Sequence, residues 1–408
     1  MITIAHRLWT IDDLDVEDRR VLLRADFDVP LVPPSAGSPV RVADDARIRS
    51  ALPTIEELRR RGARLVLVSH LDRPKGRDPA LSMRPVAERL ATLTGVAVPL
   101  APAVVGPQVG ELTERLAPGA MLMLENVRFE AGETRNDPGL ASALAELADL
   151  YVDDAFGSAH RAHASTEGIA QRLPSAAGRL MERELLALSA IVERPARPLV
   201  AILGGAKVRG KIGVVRRFLE LADSVCIGGA MCVPFLSVLG YPIGRSLCQH
   251  EDLEPARLAL VSATRSGRLE VPSDLILAKW GEEAGVTTPA LDRVDVPDDW
   301  MGLDIGPRTA DRFAAEVAPA ATVFWSGPMG RFELAPFAGG TRAIADAVAE
   351  TSATTVVGGG ETVQALRSYG LQDRVSHLST GGGATLEFLE GRELPGVQAL
   401  LRTPVTAV

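Results

Sequence analysis

Cysteine is scarce in this chain of 408 residues, which holds only Cys226, Cys232 and Cys248. An odd number with no C-x-x-C pair excludes a disulfide framework and a zinc ribbon. The three read as small core residues of a reduced, cytoplasmic protein. Long apolar runs are missing too, since none reaches the ~18 residues that a membrane span requires. The opening Met1 to Arg7 lacks the basic-then-apolar order of a secretory leader, and Asp12 and Asp13 follow it. Positive charge is not in excess. With 44 Lys and Arg against 52 Asp and Glu, the net charge is −8, which argues against a general nucleic-acid or membrane-surface binder. Gly205-Ala206-Lys207-Val208-Arg209-Gly210-Lys211 has the G-x-x-x-x-G-K spacing of a P-loop. Ile212, however, stands where a hydroxyl must reach Mg²⁺, so a P-loop NTPase is rejected. The same region has no G-x-G-x-x-G, which weakens a dinucleotide oxidoreductase. His160 and His163 lie three apart, but no cysteine or carboxylate near them has metal-site spacing.

What the chain does have is 46% hydrophobic residues, 38 Gly and 28 Pro, enough for two domains that each bury a core. Short apolar runs alternate with amphipathic stretches. Val21 to Asp26, Leu65 to His70, Met121 to Leu124 and Leu150 to Val152 read as strands. Arg49 to Arg61, Pro85 to Leu93 and Leu140 to Leu147 read as helices between them. A long amphipathic segment from Leu180 to Val192 ends near Pro195 and Pro198. The alternation then restarts with strands at Leu199–Leu203, Ser224–Ile227, Leu275–Leu277, Thr322–Trp325, Thr355–Val357 and Arg374–Leu378. Helices are expected at Val214–Leu221, Ala310–Val317, Arg342–Val348 and Val363–Ser368. The fold class predicted is α/β: two doubly wound, parallel-sheet (Rossmann-like) domains, 1–179 and 196–390, joined by an inter-domain helix over 180–195 and a hinge.

In such sheets ligands bind beyond the carboxyl ends of strands. In the first half those positions carry Asp26, Phe27, Asp28, Arg47, His70, Leu71, Asp72, Arg73, Arg128 and Arg161. Four arginines there suggest a small polyanion, because a guanidinium binds carboxylate or phosphate through two parallel hydrogen bonds. In the second half the same positions are glycine-rich: Gly204-Gly205-Ala206-Lys207, Gly228-Gly229, Ser326-Gly327-Pro328, Gly358-Gly359-Gly360-Glu361 and Ser379-Thr380-Gly381-Gly382-Gly383. Bare backbone at strand ends lets a nucleotide approach, and the last of these loops opens a helix, where N–H groups favour a phosphoryl group. A basic half and a glycine-lined half suggest two ligands that meet.

Long motifs support a specific resemblance. Arg24-Ala25-Asp26-Phe27-Asp28-Val29-Pro30, Ser69-His70-Leu71-Asp72-Arg73-Pro74-Lys75-Gly76, Leu124-Glu125-Asn126-Val127-Arg128-Phe129, Asp154-Ala155-Phe156-Gly157-Ser158-Ala159-His160-Arg161, Trp325-Ser326-Gly327-Pro328-Met329-Gly330 and Ser376 to Ala384 occur in order along nearly the whole chain. It closely resembles phosphoglycerate kinase. The resemblance implies phosphoryl exchange between an acyl phosphate and ADP, with 3-phosphoglycerate and Mg-ATP on the other side. It implies that Asp26, Phe27, Asp28, Arg47, His70, Leu71, Asp72, Arg73, Arg128 and Arg161 hold the acceptor. Lys207 and Arg47 would bracket the phosphoryl group in transit, and Gly381, Gly382 and Gly383 would cap the transition state. The nucleotide would lie on Gly204, Gly205, Ala206, Lys211, Gly228, Gly229, Pro328, Glu333, Gly358, Gly359, Gly360, Glu361, Ser379 and Thr380, with Mg²⁺ on Glu361. Residues 391–408, which include Glu393-Leu394-Pro395-Gly396, resemble the family's return of the chain toward its first domain. The expected partners are small molecules only, and the expected state is a monomer. Closure of the hinge would bring the ligands together and exclude water.

The chain also departs from the family's pattern. Asp28 and Asp153 stand where asparagine is usual, Asp72 where glycine is, Ser326 where asparagine is, and Glu361 where aspartate is. Arg209-Gly210 replaces a usual Ser-Asp pair, and Cys232-Val233-Pro234 alters the wall beside the nucleotide. Two explanations follow: drift within a working glycolytic enzyme, or a paralogue acting on a different carboxylate in a biosynthetic pathway. A third reading, from another class, is a non-catalytic nucleotide-binding protein.

Overall fold

The computed structural model describes residues 7–33, 40–206, 210–281 and 294–402. Lys207 and Arg209 lie outside the described residues. The chain forms two compact units. One is Met1–Leu186 together with Glu393–Val408, and the other is Ala187–Arg392.

The first unit is built on five parallel strands: β1 (Arg20–Arg24), β2 (Arg64–Val68), β3 (Met121–Met123), β4 (Leu150–Asp153) and β5 (Ser175–Ala177). Their spatial order is β3-β2-β1-β4-β5. Alternate residues Val21, Leu23, Leu65 and Leu67 join one core with Ile48, Ile55 and Leu58 of α1 (Ala46–Arg60) and Val86 and Leu90 of α2 (Arg84–Thr94). Leu22, Val66 and Leu122, on the opposite face, are equally buried. A sheet buried on both faces needs continuous apolar strands, and these runs supply them. α3 (Pro107–Glu114) and α4 (Pro138–Ala145) complete the crossovers. α5 (Arg179–Glu193) begins where the Asp154 carboxylate accepts the N–H groups of Leu180 (2.8 Å) and Met181 (3.2 Å). Such a side chain satisfies donors that a helix start leaves unpaired. The boundary between the units falls within α5.

In the second unit six parallel strands run β8-β7-β6-β11-β12-β13 across the sheet. They are β6 (Leu199–Leu203), β7 (Ser224–Ile227), β8 (Leu269–Glu270), β11 (Thr322–Ser326), β12 (Thr354–Gly358) and β13 (His377–Leu378). The helices are α6 (Ile212–Leu221), α7 (Val233–Val238), α8 (His250–Ser266), α9 (Pro307–Val317), α10 (Gly339–Glu350), α11 (Gly360–Ser368) and α12 (Gly383–Leu389), and α13 (Pro395–Gln398) follows in the returning segment. Val200, Ile202, Val323, Trp325 and Val357 pack on Phe313, Ile344, Val348 and Leu366. On the other face Phe218 stacks on Phe324, with ring centroids 5.1 Å apart.

The structure departs from the sequence expectation at several elements: β5, α3 and α7 have no counterpart in it, and three others also differ. The apolar run from Leu275 is not part of the parallel sheet. As β9 (Leu275–Lys279) it pairs antiparallel with β10 (Trp300–Ile305) in a separate ribbon. The 17-residue α8 was not foreseen, because its inward positions are mostly small, with Ala256 and Ala259 fully buried, and Pro255 sits inside it. The extended run expected over Arg374–Leu378 pairs only at His377 and Leu378, after a 3₁₀ turn over Gln372–Arg374.

Candidate functional site

Each unit gathers its described sequence-predicted residues around the carboxyl ends of its own strands. In the first unit, β1 ends at Arg24 and β4 at Asp153, which face each other in register. Just beyond β1, Asp26 pairs with Arg47 at 2.8 Å. The Asp28 carboxylate accepts the Asp72 N–H at 2.8 Å and places its other oxygen 3.6 Å from His70 Nε2. Arg128 donates to the Asp72 carbonyl. Arg73, Arg128, Arg161 and His163 line a cavity of about 610 Å³. Asp26, Asp28, Arg47, His70 and Asp72 are thus tied to one another, and Asp72 is tied through Arg128 to that cavity. The side chains of Phe27 and Leu71 belong to the core, so only their backbones can face a ligand. The Phe27 N–H is already donated to Ser69 Oγ.

Behind these residues lies a buried polar network. Arg24, buried in spite of its charge, donates to Ser165 Oγ at 3.0 Å and stands 3.0 Å from His70 Nδ1. A π-helical turn over Ala164–Gly168 presents both the hydroxyl and the N–H of Ser165 to the buried Glu133 carboxylate, at 2.7 and 3.0 Å. His163 Nδ1 lies 3.5 Å from the same carboxylate. Burial drives the His70 imidazole well below its ordinary range, with help from Arg24, Arg128 and Arg47. Burial pushes Glu133 upward, yet His163, Arg24 and Ser165 hold it below the usual carboxylate range. Sequence reasoning assigned no role to Arg24, Glu133 or Ser165. The only available signal was an arginine ending an otherwise apolar strand.

Two of the substituted positions, Asp72 and Asp153, have local explanations. Asp72 adopts φ +53°, a left-handed conformation natural to glycine that aspartate tolerates better than most residues. Its carboxylate accepts the Arg73 N–H at 2.8 Å. Asp153 is fully buried and accepts the Ala155 N–H at 2.9 Å, and burial raises its carboxyl to about 6.

In the second unit the strand-end loops are tied to each other. Gly205 N–H donates to the Pro328 carbonyl, Gly229 N–H to that of Met329 and Met231 N–H to that of Gly205, at 2.8 to 2.9 Å. A Cβ at Gly204 would sit 2.4 Å from the Pro328 oxygen, and one at Gly229, where φ is +60°, would sit 2.7 Å from the Gly205 nitrogen. These glycines therefore allow backbone to approach backbone, beyond any service to a ligand. Gly205, Ala206, Gly229, Pro328, Glu333 and Glu361 line a cavity of about 760 Å³. Lys211, Gly358, Gly359, Gly360, Glu361 and Gly382 line a second one of about 310 Å³. Glu361 borders both. Lys211 donates to the carbonyls of Gly204 (2.8 Å) and Ser326 (3.0 Å). Burial lowers its ammonium to about 8 against the opposing pull of Glu361. Gly204 and Gly228 directly follow β6 and β7, with Gly204 N–H donating to the Ser326 carbonyl and Gly228 N–H to that of Leu203. In the last loop, Ser379 Oγ and Thr385 Oγ1 are 2.6 Å apart, the Gly381 N–H reaches Ser379 Oγ at 3.4 Å, and Gly382 has φ +53°. Thr380 follows Ser379, and Gly383 begins α12.

Comparison with known proteins finds relatives over nearly the whole chain. The family model for phosphoglycerate kinase matches residues 11–392. The chain is 51% identical over 392 residues to the phosphoglycerate kinase of Rubrobacter xylanophilus, covering 96% of this chain and 97% of that one. It is 50% identical over 400 residues to the phosphoglycerate kinase of Salinibacter ruber, covering 97% and 99%. Among solved structures, phosphoglycerate kinase from Coxiella burnetii superposes with a TM-score of 0.86 at 38% identity, covering 96% of this chain and 98% of that one.

Proposed function

Because this chain belongs to the phosphoglycerate kinase family, we infer that it exchanges a phosphoryl group reversibly between 1,3-bisphosphoglycerate and ADP, giving 3-phosphoglycerate and ATP. The observation that carries this reading is the division of chemistry between two units. Mostly basic side chains line a 610 Å³ cavity in one, and bare backbone with Lys211, Arg245, Arg331, Glu333 and Glu361 lines adjoining cavities in the other. The first suits a small molecule bearing a carboxylate and a phosphate; the second suits a nucleotide. Full-length relatives near 50% identity bear the one name, so neither a different acceptor nor a binding-only role is favoured.

The acceptor is a carboxylate, ionised at neutral pH, so the reaction needs no general base. What it needs is positioning and charge stabilisation of an in-line transfer. Arg73, Arg128, Arg161 and His163 would hold the acceptor's anionic groups, and the Asp26 carboxylate would hold Arg47 in place. Lys207 and Arg47 would flank the phosphoryl group as charge develops on its oxygens. Gly381 to Gly383 would offer N–H groups at the opposite side. Glu361 fits a Mg²⁺ site of the kind that uses one carboxylate and relies on phosphate oxygens and waters for the rest. Among the described residues no group of three or more His, Cys, Asp or Glu is placed to cage an ion alone. Bound Mg²⁺ would neutralise phosphate charge. Transfer would require the two loaded units to bring their ligands together, away from water. The reading places the protein in the cytoplasm, as a monomer.

A coupled assay with 3-phosphoglycerate and Mg-ATP tests the reading. Wild-type protein should turn over steadily, and Lys207→Ala or Arg47→Ala should lower kcat roughly 10²- to 10³-fold, the loss expected for one transition-state charge partner. No turnover with 3-phosphoglycerate, alongside turnover with another carboxylate, would sink it.

A further inference from the structure

Beyond the end of β1, a buried guanidinium touches a buried imidazole. We infer that Arg24 is a positioning residue for the acceptor site, one that holds His70 as the neutral tautomer with its only proton on Nε2. The inference rests on the reading of His70 as an acceptor-binding side chain.

Arg24 imposes the assignment by a hydrogen bond, and a carboxylate on the other side of the ring is compatible with it. A guanidinium has only donors, and Arg24 Nη2 lies 3.0 Å from His70 Nδ1. Nδ1 must therefore accept, which leaves the proton on Nε2. The other neighbour is Asp28, whose carboxylate oxygen stands 3.6 Å from Nε2 and offers only lone pairs toward it. A doubly protonated ring would aim an N–H at the guanidinium. The charges that act on His70 besides Arg24 are mostly of the same sign, from Arg128, Arg47 and His163, and Asp28 is the acid in ion-pair range.

Arg24 is itself held on all sides, which makes its hold on the ring firm. Its Nη1 donates to the Ala25 carbonyl and its Nε to Ser165 Oγ. That hydroxyl passes its own proton toward Glu133, so a buried carboxylate balances the buried cation through one hydroxyl. A charge buried this deeply persists only when paired and hydrogen-bonded. Three of the five N–H donors of Arg24 are engaged in this way, and the side chain is buried. Arg24 acts through His70, whose Nε2–H becomes a neutral donor of constant strength across physiological pH.

Long-range ¹H–¹⁵N spectra of histidine-labelled protein, with His70 assigned from the His70→Gln variant, test this in the intact chain. The expected result is a bare Nδ1 and a protonated Nε2 that do not titrate from about pH 8 to about pH 6, where an ordinary imidazole would. In Arg24→Lys the ring should titrate. The KM for 3-phosphoglycerate should rise roughly tenfold, about one hydrogen bond's worth, and become pH-dependent, with kcat and the nucleotide KM little changed. A proton on Nδ1 of the wild-type ring, or ordinary titration there, overturns the inference even if Arg24→Lys does not fold. Should His70→Gln leave the KM for 3-phosphoglycerate unchanged, the acceptor-binding reading fails and the positioning role with it, while the tautomer assignment stands.

Discussion

Asp153 binds its proton more tightly in the folded chain than an ordinary aspartate does, at about 6 against 3.8. Burial is the cause, since it penalises the ionised form. A group whose folded value is raised supports folding fully below its unfolded value and loses that support as pH rises through the folded one. Asp153 should therefore weaken the protein progressively between about pH 4 and pH 6. Asp153→Asn keeps an oxygen for the Ala155 N–H and abolishes the charge. We expect the variant to be ~2–3 kcal/mol more stable than wild type at pH 7 and nearly equal to it below pH 4, as read from urea midpoints. A constant difference at all pH values would mean that ionisation is not the cause. Asp28 poses a different question, because it is half-exposed in the site. Its charge opposes an anionic acceptor, so Asp28→Asn should lower the KM for 3-phosphoglycerate about fivefold, the scale of one near charge in a solvated pocket. An unchanged KM would show that His70 and the arginines already offset it. The sequence announced these acids, and the exposed arginines, through their place just after apolar strands. It could not announce Arg24 with Glu133, because the two stand far apart in the chain and meet only through a turn carrying Ser165.

The strands were legible because a sheet covered on both faces requires unbroken apolar runs such as Val21-Leu22-Leu23 and Leu199 to Leu203. Composition could not separate the Leu275 run, which has the same apolar character but pairs with Trp300–Ile305 outside the main sheet. Partner choice depends on what lies opposite, and a single run carries no record of that. The glycine loops were legible as strand-end loops but not in their full physical role. Gly229 is fixed by a left-handed φ and by the nearness of Gly205, so it shapes the cavity that both line by holding two loops against each other. Gly229→Ala should cost ~1–3 kcal/mol of stability, as strain at such positions does. It should also raise the KM for ADP, measured in the same coupled assay, while leaving the KM of the acceptor within twofold. If both KM values moved equally, the loop would not belong to the nucleotide site.

At the scale of the molecule, assigning one ligand to each compact unit makes the ligands separable by where they protect the backbone. A ligand that binds only the folded form suppresses local opening around its own site. Hydrogen exchange with 3-phosphoglycerate alone should slow amides of the unit that ends at Leu186 and resumes at Glu393, around Arg73, Arg128 and His163. With Mg-ADP alone, slowing should be confined to Ala187–Arg392, around Gly205, Gly229 and Gly359. Helix α5 contains the boundary between the units, and direct transfer demands that the two loads meet. Amides of Arg179–Glu193 should therefore change their exchange when both ligands are bound and stay near the unliganded rate with either alone. If 3-phosphoglycerate by itself protected the Gly205 and Gly359 loops, the acceptor would lie in the glycine-lined unit, and the division of labour on which the reaction is argued would have to be redrawn.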